Sequence, residues 1–156
     1  MGSFKKEAFV QEVFYAHGGS GDNSGNSAGN AKTIVDDALV MTIEAGTVVE
    51  KVFVVIDTAI TGVTNLDVGD DDDADGFVDG SLSVTLGTAG MYGWDVKNAG
   101  AYLRVQTAGA TDAADIYVVP NAKYYAAAGK EIKLDVTTAS TAGAFRVIIQ
   151  GRKLSA

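Results

Sequence analysis

The sequence predicts an all-β domain, a single antiparallel β-sandwich or barrel, on three observations. From Ala31 onward the chain is a series of short apolar runs rich in Val, Ile, Thr, Phe and Tyr, most about as long as an ordinary strand. Gly, Asp, Asn, Thr and Ala divide these runs in turn-like clusters. After Ala31 no amphipathic stretch long enough to compete as a helix occurs. Regular strand spacing with turns between argues against βαβ units.

Residues 1–16 form an amphipathic segment with two readings. As a helix it would bring Phe9 to Val13 and Val10 to Phe14 at spacing four. As a strand it would set Phe9, Val13 and Tyr15 against Val10, Glu12 and Phe14. The β-like remainder of the chain favours the strand. The tract 17–30, HGGSGDNSGNSAGN, holds no large apolar residue and reads as a loop or linker. The expected division is therefore 1–30, an N-terminal arm with its Gly/Ser/Asn-rich tract, and 31–156, the sandwich.

Strand candidates follow at 33–43, 48–59, 63–68, 77–86, 101–107, 115–120, 131–137 and 145–151. In the last, Phe145, Val147 and Ile149 share one face while Arg146, Ile148 and Gln150 take the other. In 101–107, Tyr102 and Arg104 oppose Leu103 and Val105. The segment VFVVID within 48–59 is apolar on both faces, the mark of a central strand. Hairpin-type separators are expected at EAGT after Ile43, AAAGKE before Ile132 and TASTAG before Ala144. The one proline, Pro120, suits a strand end.

Composition bounds the function. The 156 residues include no cysteine, which excludes a disulfide framework, a thiolate metal site and a cysteine nucleophile. A single histidine, His17, excludes multi-histidine metal sites. The net charge of −8 disfavours nucleic acid, since neutralising phosphates takes clustered Lys and Arg, and an anionic membrane would repel the chain likewise. Glu7, Gln11 and Glu12 interrupt the stretch behind Lys5 and Lys6, so no export signal forms there. Lys6 stands where a myristoylation signal has Ser or Thr. The expectation is a chain made in the cytoplasm, with neither a nucleic acid nor a membrane as partner.

The segment VGDDDDADGFVDG stands apart. From Asp67, just before it, to Asp79 there are seven aspartates, Asp67, Asp70, Asp71, Asp72, Asp73, Asp75 and Asp79, and no base. With these set aside, the other acidic residues nearly balance the 12 Lys and Arg. Such density is repulsive unless salt, solvent, a cation or a basic partner offsets it. Asp71, Asp73, Asp75 and Gly76 match the opening of a calcium loop, in which alternate carboxylates converge on a hard cation and glycine permits a sharp turn. Asp79 falls at the ninth position. Leu82 occupies the twelfth, where an EF-hand needs a bidentate Glu, so that motif is rejected. A looser calcium loop through Asp71, Asp73, Asp75 and Asp79 and a solvated Asp/Gly turn both remain open.

Other motifs carry little chemistry. GNSAG around Ser27 formally matches a nucleophile elbow but sits in the Gly/Ser/Asn tract, with no strand–helix setting. AAAGKE has Glu131 where a phosphate-binding loop has Ser or Thr. Tyr92, Trp94, Tyr124 and Tyr125 could form a sugar platform or an interface, or could be ordinary core aromatics. No catalytic set assembles, and a non-enzymatic protein is expected.

The stretch 30–80 and the ending 123–153 resemble structural proteins of tailed bacteriophages. The matching pieces are the turn Ala45, Gly46, Thr47, the strand VEKVFVVIDTAITG, the segment V-G-D-x-x-D-A-D-G-F at 68–77, and KYYAAAGKEIKLDVTTASTAGAFRVIIQGRK. The resemblance implies a virion component with a sandwich like a jelly roll: a head decoration, or cement, protein, or a tail or fibre accessory. It implies a capsid-surface location, and as partners the major capsid protein and further copies of the chain, as a trimer. Phe4, Phe9, Val10, Val13 and Phe14 are then candidates for an arm docking on a neighbour, or alternatively form the first strand of the sandwich itself. A fibre-tip role would instead engage a receptor or glycan through the tyrosines and Trp94, with calcium at the acidic loop.

Overall fold

The structure, a computed structural model, describes residues 5–21, 31–80, 86–93, 102–103 and 122–155. Its elements are β1 (Lys5–Ala16), β2 (Lys32–Thr33), β3 (Ala38–Thr42), β4 (Thr47–Thr61), β5 (Leu66–Asp70), β6 (Asp73–Val78), β7 (Gly90–Tyr92), β8 (Lys123–Tyr125), β9 (Glu131–Val136) and β10 (Ala142–Ser155). They build two sheets that pack as a sandwich. One runs β2-β1-β10-β4-β7, with β8 also paired to β4; the other runs β3-β9-β5-β6. All pairings are antiparallel except the short one between β1 and β2. The strand runs expected at 101–107 and 115–120 lie outside the described residues, save Tyr102 and Leu103.

The inner faces follow the period of two. Phe145, Val147 and Ile149 of β10 are buried, as are Ile132, Leu134 and Val136 of β9, and each set alternates with more exposed neighbours. The β4–β10 ladder shifts register at three places, one of them within the first half of β4. Gln150 pairs Lys51 while Gly151 pairs Val49, leaving Glu50 as the extra residue of a bulge. Val49 and Val52, three apart, therefore both face the core. Phe53 and Val55 on the opposite face are half-buried, so β4 is central within its sheet and, among the described residues, fully covered on one side. The run 33–43 is broken in two by a turn at Asp36 and Asp37, the latter at φ 57°.

Two expectations need correction. Residues 5–16 form the first strand of the sandwich: β1 pairs β10 along its whole length, from Lys5 opposite Ser155 to Ala16 opposite Ala144. Its Tyr15 stacks on Phe145 at 5.1 Å and donates its hydroxyl to the Leu39 carbonyl at 3.1 Å, tying one sheet to the other. A boundary at residue 30 thus does not separate an arm from the sandwich. The separators EAGT, AAAGKE and TASTAG are not hairpins either, because each carries the chain from one sheet to the other. An arch and a hairpin draw on the same turn residues. Only the partners of the strands distinguish them.

Candidate functional site: an acidic hairpin locked by tyrosines

The aspartate-rich segment is the hairpin β5–β6, turning at Asp71 and Asp72. Neither turn residue has positive φ, so it is not one of the primed turns that usually close two-residue hairpins. The Asp70 side chain holds it instead. Its Oδ1 accepts the backbone N–H of Asp72 at 3.0 Å and of Asp73 at 3.3 Å, an Asx device that replaces the missing backbone geometry.

Asp70 is itself fixed from behind. The Tyr102 hydroxyl donates to Oδ1 at 2.7 Å and the Tyr125 hydroxyl to Oδ2, while Lys123 Nζ stands 3.4 Å from Oδ2. The Asp70 carboxylate has no exposed surface. Burial by itself would raise its pKa, but the two tyrosines, the Asp72 N–H and the Lys123 charge outweigh it and hold the group below the usual carboxylate range. Burial, and next the Asp70 carboxylate, push both phenols upward, so they stay donors. Lys123 Nζ also lies 3.4 Å from the centroid of the Tyr102 ring, a cation–π contact that shares the ammonium between carboxylate and ring.

Gly76 has a different purpose from the calcium-loop reading. It lies in β6 without positive φ, and a Cβ there would fall among the Tyr102 ring atoms. Its bare backbone is the shelf on which Tyr102 rests, and the Tyr102 N–H donates to the Gly76 carbonyl at 2.7 Å. The ring also meets Phe77 edge-on at 5.0 Å.

The four proposed calcium ligands do not share one purpose. Asp71 pairs with Lys133 at 3.1 Å, and its neighbour Asp72 pairs with Lys130 at 2.6 Å. The basic groups that answer the acidic turn therefore come from the approach to β9 and from β9 itself, about sixty residues downstream. Asp73 starts β6, whereas Asp75 and Asp79 lie close enough to Asp67 to act on its charge. Among the described residues no three Asp, Glu or His side chains converge as a metal-binding group. A strand sends successive carboxylates along a ladder, where a calcium loop would curl them round one point.

A second acidic feature escaped the sequence reading: aspartates from separate elements meet on the outer face of the β3-β9-β5-β6 sheet. Asp67 of β5 stands directly opposite Asp135 of β9, with Asp36 and Asp37 near Asp135 and Asp75 and Asp79 near Asp67. Asp67 is nearly buried, and accepts the Gly80 N–H at 2.6 Å and the Asn65 amide. Burial, then the charges of Asp75, Asp79 and Asp135, push its pKa up to about 6 against the Gly80 hydrogen bond. Asp135 is raised as well, first by burial and then by Asp36. Like charges directly across a ladder oppose pairing. Only the register brings them together, so no linear motif could have shown the cluster.

The remaining candidates are scattered. Tyr125 is buried on Asp70 while Tyr124, its neighbour in β8, is 57% exposed, so strand alternation keeps the two from one platform. The Tyr92 hydroxyl donates to the Thr88 carbonyl. Ser27 and Trp94 lie outside the described residues. His17 Nδ1 lies 3.3 Å from the Ser140 hydroxyl at an exposed corner.

The apolar residues of β1 part in the same way. Phe9 packs against the main core and Val13 is buried within it. Phe14 is buried on the other face with Ala16 and Ala31, beneath Arg146. Val10 alone of these four is exposed, at 68%, and Phe4 lies outside the described residues. The expected docking strip is thus corrected to one exposed valine, because period two splits what helical spacing would have joined.

No family model, no curated protein and no solved structure matches this chain.

Proposed function

We propose that this protein is a non-enzymatic structural component of a tailed-bacteriophage virion, a decoration protein that bridges capsomers and stabilises the head. The observation that carries the reading is the placement of the resembling pieces. The strand VEKVFVVIDTAITG is β4, the segment 68–77 is the locked hairpin, and 123–153 spans β8, β9 and most of β10. These form the sandwich framework itself, which supports kinship at the level of the whole fold. The Asp70 carboxylate is engaged by Tyr102, Tyr125 and the N–H groups of its turn, and Asp67 by the Gly80 N–H and the Asn65 amide, which gives both a structural part. On a lattice, many weak contacts become strong because each later one is effectively intramolecular.

Quantitative mass spectrometry of purified particles tests the proposal. A copy number comparable to the major capsid protein is expected. A handful of copies would place the chain at a tail or fibre, and absence from particles would overturn the virion reading altogether.

A further inference from the structure

The two sheets do not close on each other at the β1 side. β1 and β3 are the neighbouring edges of the sandwich, and between them opens a cavity of about 490 Å³ lined by Phe9, Val10, Leu39, Val40 and Met41 among others. Val10 is 68% exposed and Leu39 37%, two of the five large apolar side chains left in solvent among the described residues. Among the described residues, the ladder on the outer side of β1 consists only of Tyr15 and Ala16 opposite Lys32 and Thr33. The stretch 7–11 is hydrogen-bonded, among the described residues, to a strand on its β10 side only. Edges of this length are ordinarily blunted by proline, a central lysine or a covering loop. The centre of this one reads Ala8, Phe9, Val10 and Gln11, and has neither proline nor lysine.

We propose that this edge pairs antiparallel with the same edge of a second copy, joining two sandwiches through one continuous sheet about a two-fold axis at Phe9. The sequence of β1 argues for this occupant. An axis perpendicular to the sheet keeps inner residues with inner and outer with outer, so a residue must sit on the axis. Centred on Phe9, Lys6 falls opposite Glu12, Glu7 opposite Gln11 and Ala8 opposite Val10. Oppositely charged positions meet and no like charges do. Centring on Ala8 sets Lys6 against Val10 and Glu7 against Phe9. Centring on Val10 sets Glu7 against Val13 and Ala8 against Glu12. Of these three registers only the one at Phe9 opposes unlike charges, and its outermost pair sets Lys5 opposite Val13. This register covers Val10 with Ala8 of the second copy on the outer face. On the inner face it brings the two Phe9 positions together at the mouth of the cavity that Leu39 and Met41 line.

The proposal does not rest on the virion reading, since it concerns the purified chain, and either can fail without the other. Sedimentation of the full chain across the micromolar range is expected to show a monomer–dimer equilibrium. Val10→Lys alters an exposed side chain, keeps the far-ultraviolet spectrum of a folded sandwich, and weakens the dimer by about a hundredfold or more. The register is read with cysteines, because the chain has none of its own. Directly opposed positions lie within disulfide reach, whereas diagonal ones stand about 7–8 Å apart, beyond it. A mixture of Ala8→Cys and Val10→Cys chains is therefore expected to cross-link, and each variant by itself to do so far more slowly. A folded chain that stays monomeric overturns the proposal, whether or not some other protein's strand occupies the edge. So does an oligomer insensitive to Val10→Lys, or equal cross-linking of the single variants.

Discussion

Asp70 and Asp67 are three residues apart, and the fold moves their proton affinities in opposite directions. Asp70 faces hydrogen-bond donors and a lysine; Asp67 is buried with fewer donors and among other carboxylates. The Asp70 arrangement depends on Gly76. Gly76→Ala must displace the Tyr102 ring, and with it the hydroxyl on Asp70, the edge contact to Phe77 and the seat of Lys123. Overpacking of this kind costs about 1–3 kcal/mol, read as a lower midpoint in chemical denaturation. Tyr102→Phe keeps the ring in place and is expected to lose only the hydroxyl's part, about 1–2 kcal/mol.

At the scale of elements, the pairing of β1 with β10 depends on another glycine. Gly151 lies opposite Phe9 and beside the Glu50 bulge, and a Cβ on it would strike the Val48 carbonyl oxygen and the Phe9 ring. Gly151→Ala is expected to destabilise the protein by about 1–3 kcal/mol, with amide-exchange protection falling first in β1. The strands themselves were largely legible in the sequence. Period two found the inner face of β10, because apolar residues at alternate positions have no other economical arrangement. What lay beyond reach was pairing. The separators at 44–47 and 126–131 carry the chemistry of tight turns, yet they cross between sheets. Gly76 was visible as a glycine in an acidic run, but the ring that needs it lies 26 residues away in the sequence. The Asp67–Asp135 meeting was hidden for the same reason.

For the whole molecule, the opposed carboxylates shape stability against pH. Asp67 has a folded pKa raised to about 6, so its contribution is absent at high pH, grows as pH falls through 6, and is complete below the ordinary carboxylate range. Its size is on the order of 2–3 kcal/mol. Asp70 has a lowered folded pKa, so its contribution is present above the ordinary carboxylate pKa and lost as pH falls through the folded value. The thermal midpoint is therefore expected to rise from pH 8 to about pH 5 and to fall in stronger acid. Asp67→Asn removes the burial of a charge while keeping an oxygen for the Gly80 N–H. It is expected to raise the midpoint at pH 8 and to flatten the rise between pH 7 and 5. A wild-type midpoint that falls steadily from pH 8 to 5 would contradict this account.

The partnership of β1 with β10 also fixes the order of events during synthesis. Of the strands described, β1 is made before the others and has its principal ladder with β10, made after them, and β4 likewise waits for β10. The sheet that holds both cannot assemble progressively as the chain emerges. It must form late, once residues 142–155 are free, by closing the longest loop the topology contains. Chains halted short of β10 are thus expected to remain protease-sensitive throughout, with no folded N-terminal half to protect them.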